Sequence, residues 1–230
     1  MIFLGVKRLR LIVSGTSGGI GQAFCQLATA HADWEVIGLV RRPATSDQAF
    51  DAVWSEASIH AALEPIGRVD TLIALHGADI VSGPGRSQPY IDRLDWLYQV
   101  DIAGTIKLVR ATLPQLNPGG TIILIGSDEA YQGSSGESGE LYAVAKSAVM
   151  SYGRSLALTV KDRARVVIIA PGWVLTRWGQ SLSAERRQRL AQRTVRGRWQ
   201  SPLEVARAIE SVLVHPGSAP SGAVIAVTGE

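Results

Sequence analysis

The chain contains one cysteine, Cys25, among 230 residues, so no disulfide can close within it. Long apolar runs are absent too. No stretch approaches the roughly 20 apolar residues that cross a bilayer. Lys7, Arg8 and Arg10 break up the apolar start MIFLGVKRLRLIVSG, and nothing like a signal-peptide cleavage site precedes the first strand-like run. The four histidines have no metal-ligand spacing. These absences predict a cytoplasmic, metal-free protein with no membrane partner. What is present is a globular composition: 46% hydrophobic residues with 19% charged is too apolar for a disordered chain. The length suits one α/β domain and is too short for two generous ones.

Lysine is scarce, and 19 of the 23 basic residues are arginine. The net charge of +3 hides an uneven distribution. Arg177, Arg186, Arg187, Arg189, Arg193, Arg196 and Arg198 cluster against a single acid, Glu185. Arginines on a helix are most simply a solvated face. A dense field of one sign also steers anions, so the cluster allows an anionic or carrier-bound substrate. Nucleic acid does not fit, because the rest of the chain is nearly neutral and carries no recognition motif.

Short, nearly continuous apolar runs at 9–15, 34–40, 70–75, 121–126, 165–170 and 223–227 read as strands buried on both faces. Amphipathic segments at 19–31, 56–64, 92–113, 139–161, 183–195 and 202–214 alternate with them. This alternation predicts a doubly wound parallel sheet, an α/β Rossmann-type three-layer sandwich, forming one domain over 1–230. SPLE, Ser201 to Glu204, reads as a capping box with proline at the first helical position. Little chain lies between the second strand and 70–75. A shortened or missing helix near 43–50 and a minimal strand near Phe50–Val53 are therefore expected.

The first strand runs into SGTSGGIG, Ser14 to Gly21, and then a helix. Glycines there permit a tight turn and close backbone approach to a pyrophosphate, which the helix N-terminus would receive. Gly15, Gly19 and Gly21 satisfy one spacing of such turns, and Gly15, Gly18 and Gly21 another; the turn alone does not choose between them. A site that prefers NAD places an acid at the end of the second strand, against the ribose 2′-hydroxyl. Val40 stands there, followed by Arg41 and Arg42. Guanidinium suits a 2′-phosphate, so NADP (NADPH) is expected over NAD. In LYAVAKSAV, Tyr142 and Lys146 are four apart and share one face of a helix.

With the glycine turn, LHGAD after the fourth strand-like run, IGS ending at Ser127, YAVAK and APGWVLT in this order, the chain resembles the short-chain dehydrogenase/reductase family over essentially its whole length. The resemblance implies an oxidoreductase that interconverts a carbonyl and an alcohol by hydride transfer. By it, Tyr142 is the general acid/base and Lys146 lowers the tyrosine's pKa and binds the nicotinamide ribose. Ser127 holds the substrate oxygen. Gly15, Ser17, Gly19, Ile20, Gly21, Arg41, Arg42 and Gly77 belong to the cofactor site, with Pro171, Gly172 and Thr176 lining the nicotinamide pocket. A substrate lid around 177–200 and assembly as a homodimer or homotetramer through the helices near 92–113 and 139–161 are also implied.

Two positions depart from the family's pattern. ALHG, with His76, stands where asparagines begin the signature, and His76 is expected to be structural. Asp101 occupies the place of an asparagine whose backbone carbonyl holds a relay water, so Asp101 joins the catalytic set through its backbone. These departures leave a second reading open, a redox-sensing or scaffold protein that binds cofactor without turnover. A lyase or isomerase using the same cofactor is a third.

Overall fold

The computed structural model describes residues 8–43, 47–192, 194 and 197–227. In chain order its elements are β1 (Leu9–Ser14), α1 (Gly19–Ala28), β2 (Trp34–Val40), β3 (Gln48–Ala49), α2 (Glu56–Leu63), β4 (Val69–Ala74) and the short α3 (Gly83–Arg86). There follow α4 (Tyr90–Leu97), a π-helical turn (Tyr98–Ala103), α5 (Gly104–Thr112), β5 (Leu116–Ile125), the single turn α6 (Glu129–Gln132) and α7 (Glu137–Val160). The remainder is β6 (Ala164–Pro171), α8 (Arg177–Ser181), α9 (Ala184–Ala191), α10 (Pro202–Val214) and β7 (Val224–Val227).

The strands form one parallel seven-stranded sheet in the order β3-β2-β1-β4-β5-β6-β7. The pleat sends alternate residues to opposite faces, and both faces are apolar. Ile12, Leu72, Ile122, Leu124, Val166 and Ile168 face the core shared with α2, α5 and α7. Leu11, Val13, Ile73, Ile123, Val167 and Ile169 face the core shared with α1 and α10. Burial on both sides is why these strands read as unbroken apolar runs. Among the described residues, no helix is long and apolar enough to cross a membrane, and no group of three or more His, Cys, Asp or Glu could hold a metal ion.

The expected crowding after β2 is resolved as anticipated, with a small shift. β3 is two residues long and lies at Gln48–Ala49, just before the expected Phe50–Val53. No helix connects β2 to β3 among the described residues. The capping box is present: Ser201 Oγ accepts from Glu204 N at 3.2 Å, and Glu204 Oε2 accepts from Ser201 N at 2.7 Å.

Strand order reverses between β1 and β4, the two strands whose connections leave in opposite directions across the sheet. In open α/β sheets the crevice outside the carboxyl ends at this point is where ligands bind.

Candidate active site

The glycine turn lies at that crevice. Gly15 adopts φ +76°, and a Cβ there would lie 2.8 Å from the backbone of Leu75 and His76 at the end of β4. A Cβ on Gly21 would lie 2.2 Å from Gly15 O. Only glycine satisfies both positions. The 10-residue helix α1 begins at N-cap Gly18 with no side-chain cap and no acid in its first turn, so its N-terminal N–H groups can receive an anion. Ile20 packs into the core beneath α1. Gly19 faces Thr176, whose Cγ2 would be 3.1 Å from an added Cβ, so Thr176 closes over the turn.

A cleft of about 760 Å³ opens from this turn, with Gly15, Ser17, Val40, Arg41, His76 and Gly77 on its walls. A dinucleotide fits these residues: a floor no side chain could share, an open helix N-terminus and a guanidinium at the end of β2. Arg42 is exposed and does not line the cleft. Phe50, Asp51, Ala52 and Trp96 line the same cleft. The sequence reading passed over them, because a two-residue β3 leaves no recognisable pattern ahead of Asp51.

The residues expected to transfer the proton come from α7 and from the end of β5. Tyr142 and Lys146 are one turn apart on α7, with Lys146 Nζ 5.5 Å from the centre of the Tyr142 ring. Ser127, just after β5, is buried, and its Oγ accepts from Glu129 N at 3.3 Å. Asp128 sits against Gly172, where an added Cβ would be 2.8 Å from its Oδ2. Pro171, the last residue of β6, accepts from Asp128 N at 3.0 Å through its carbonyl.

Asp101 departs from expectation. Its role does not stop at the backbone: Oδ1 is 2.8 Å from Lys146 Nζ, and Oδ2 accepts from Ala78 N at 2.7 Å. The reason is local. A π turn carries an extra residue and rotates the helix beyond it, so that Val100, Asp101 and Gly104 all face inward between α4 and α5. Gly77 sits beside the carboxylate, where an added Cβ would approach Oδ1 to 3.3 Å. Gly104 lets the helix close on Ala52, whose Cβ would be 2.6 Å from an added one.

Burial pushes Tyr142 above the usual tyrosine range. Lys146 opposes that shift, while Asp101, Glu129 and Asp128 add to it. Lys146 thus acts on the phenol in the expected direction, against burial. Burial would lower Lys146, but Asp101 and Tyr142 hold it above the ordinary lysine value. Burial likewise raises Asp128 and Glu129. His76 lines the cleft and also makes structural contacts. Its Nδ1 is 2.7 Å from Ser14 Oγ, Phe50 packs edge-on to its ring, and burial lowers its pKa to about 4.

After β6, Trp173, Trp178 and Trp199 form a mutual cluster with ring centres 5.4–5.7 Å apart. A backbone bridge between Val174 and Gln200 ties the two ends of the α8–α9 segment together. Of the clustered arginines, Arg198 pairs with Glu204 and Arg187 donates to Gln180 O. Arg177, Arg186 and Arg189 are exposed. Arg193 and Arg196 lie outside the described residues.

Residues 19–229 match the family model described as enoyl-(acyl carrier protein) reductase. The chain is 27% identical to cis-4-hydroxycyclohexanecarboxylate dehydrogenase of Sinomonas cyclohexanicum, over 95% of this chain and 94% of that protein. It is 26% identical to 3-oxoacyl-[acyl-carrier-protein] reductase of Escherichia coli strain K12, over 95% of each. A solved short chain dehydrogenase family protein of Francisella tularensis shares its fold with a TM-score of 0.82 at 21% identity, over 95% of this chain and 96% of that one.

Proposed function

The chain belongs to the short-chain dehydrogenase/reductase family, and from that premise we propose that Tyr142, Lys146 and Ser127 carry out its reaction. The protein is an oxidoreductase that interconverts a carbonyl and an alcohol with a nicotinamide cofactor. A reduced nicotinamide, when bound, supplies the hydride. Tyr142 donates the proton that the substrate oxygen needs as its negative charge develops. Ser127 donates a hydrogen bond to the same oxygen and stabilises that charge. Lys146 holds a cation beside the phenol and would hold the nicotinamide ribose of a bound cofactor. The observation that carries the reading is the placing of Lys146 Nζ over the Tyr142 ring on α7, with Ser127 buried just after β5.

Tyr142→Phe tests it. The ring's packing is kept and the proton is lost, so turnover on a verified carbonyl substrate should fall at least a thousandfold while cofactor binding persists. Near wild-type turnover in this variant would refute the assignment.

Gly15, Ser17, Gly19, Ile20, Gly21 and Gly77 form the cofactor floor in this reading, and Pro171, Gly172 and Thr176 cover the nicotinamide end. Arg41 in the cleft wall and the absence of an acid at Val40 favour NADPH over NADH. The segment around 177–200 serves as the substrate lid. A carrier-bound or anionic substrate is the second reading, favoured by exposed Arg186 and Arg189 on α9 and by a relative named for reducing an acyl group on its carrier protein. Asp128 and Glu129 beside Tyr142 disfavour an anion at the reacting carbon itself, so a negative group would meet the lid and not the floor. Assembly as a homodimer or homotetramer is supported by the outward face of α7, where Val144 and Leu158 are 58% and 73% exposed.

A further inference from the structure

The cleft beside the glycine turn carries a ring that the reaction scheme leaves unused. Trp96 of α4 lines this cleft and is 38% exposed. Its place there follows from how the walls are joined. β3 pairs with β2 through Val40 and Ala49, and Phe50 N donates to Val40 O at 2.9 Å. Phe50 and Ala52 thus adjoin the end of β2, where Arg41 stands. Gly104 closes the helical layer on Ala52, whose Cβ would be 2.6 Å from an added one. Val100 lies four residues before Gly104 and Trp96 four before Val100, and both line the cleft. One stripe of side chains therefore runs outward from Ala52 along the wall.

The stripe changes character along its length. Phe50 and Val100 are 4% and 7% exposed and belong to the core. The Phe50 ring is also turned edge-on to His76. Trp96 has no aromatic partner among the described residues, and its indole is left half open on the wall. A large flat apolar face in that position suits a flat aromatic ligand.

We propose that Trp96 is the base-stacking residue of the cofactor site, with the purine of the dinucleotide lying flat on its indole. The inference rests on the reading that this cleft takes the cofactor with its 2′-phosphate at Arg41. The base and the 2′ substituent hang on neighbouring ribose carbons. A phosphate at Arg41 therefore leaves the base on the adjoining wall of Ala52, Val100 and Trp96. The two sides of the adenosine are then held by different forces. Arg41 acts through charge, which salt screens. The indole acts through apolar burial and dispersion, which salt of ordinary strength leaves in place. The base is unchanged by hydride transfer, so stacking it lowers the KM for cofactor and leaves kcat as it is.

The test uses adenosine 2′,5′-bisphosphate, a fragment with the base and the 2′-phosphate but no nicotinamide, titrated into the full chain by calorimetry and by indole emission. In Trp96→Ala its dissociation constant should rise about fivefold or more, by the same factor at low and high salt. Trp96→Phe keeps a ring and should retain most of the affinity. The chain has six tryptophans, and the emission quenched by the fragment in the parent should largely disappear in Trp96→Phe although binding persists. With NADPH, Trp96→Ala should raise the KM and leave kcat unchanged. Unchanged fragment affinity in Trp96→Ala, or quenching that survives intact in Trp96→Phe, would overturn the proposal; the second readout decides it even if the alanine variant does not fold. Arg41→Gln separates the premise from the inference. If it leaves fragment affinity unchanged, the placing of the 2′-phosphate fails and this proposal with it. If it weakens the fragment and Trp96→Ala does not, this inference alone is removed.

Discussion

Cofactor choice is decided at single side chains. Val40 ends β2 without a carboxylate, and Arg41 follows it on the wall of the cleft. Asp51 lies on the same wall, so the guanidinium does not act in an otherwise neutral setting. A 2′-phosphate would meet Arg41 through charge-assisted bonds that a 2′-hydroxyl cannot match, each worth roughly 1.5–3 kcal/mol. NADPH should therefore bind at least tenfold more tightly than NADH. Replacing Arg41 and Arg42 with glutamine should narrow that gap mainly by weakening NADPH. Fluorescence titrations with both cofactors check this, and equal dissociation constants in the unmodified chain would count against it.

At the scale of elements, the segment between Thr176 and Gln200 is held down more firmly than a free flap. The Val174–Gln200 bridge closes its base. Gly179 packs so closely on Trp199 that an added Cβ would lie 2.6 Å from the indole. Trp199 Nε1 also donates to Arg187 O at 3.0 Å. This stapling fixes α9 with Arg186 and Arg189 outward. If those arginines collect an anionic or carrier-borne substrate, kcat/KM should fall as salt rises. Arg186→Gln with Arg189→Gln should then raise KM several-fold and leave kcat nearly unchanged. A neutral substrate preferred at every ionic strength would remove the carrier reading and leave the oxidoreductase intact.

At the scale of the whole molecule, His76 couples the stability of the fold to pH. His76 joins β4 to β1 through Ser14 and to α5 through Thr105 Oγ1, at 3.4 Å. Its pKa is lowered by burial to about 4 in the fold, against about 6.5 in an unfolded chain. Neutral His76 is thus fully accommodated above pH 6.5. As pH falls from there toward 4, the unfolded state takes up the proton and the folded state does not, so stability declines across that window. The loss should be on the order of 2 kcal/mol, since the ring is not wholly shielded from solvent. Denaturant unfolding of the parent and of His76→Asn, in which the amide can still reach Ser14, should show a steeper acid decline in the parent. Parallel curves would show that His76 does not titrate in this way.

Much of this was legible in the residues themselves. The apolar runs specified seven parallel strands less one, because strands buried on both faces leave an unbroken signal; the two-residue β3 did not. The glycine turn, the Tyr142–Lys146 spacing and the Ser201 capping box depend on local backbone geometry and i to i+4 neighbours, so a linear reading captures them. What needed the tertiary structure were contacts between segments far apart in the chain. No periodicity places Asp51 in the cofactor cleft, Trp199 on Gly179, or the Asp101 carboxylate on Lys146. That last contact depends on a π turn whose inward rotation is set by packing against Ala52 and α7. Its product, a buried lysine paired with a carboxylate 45 residues away in the chain, exists only once the chain has folded.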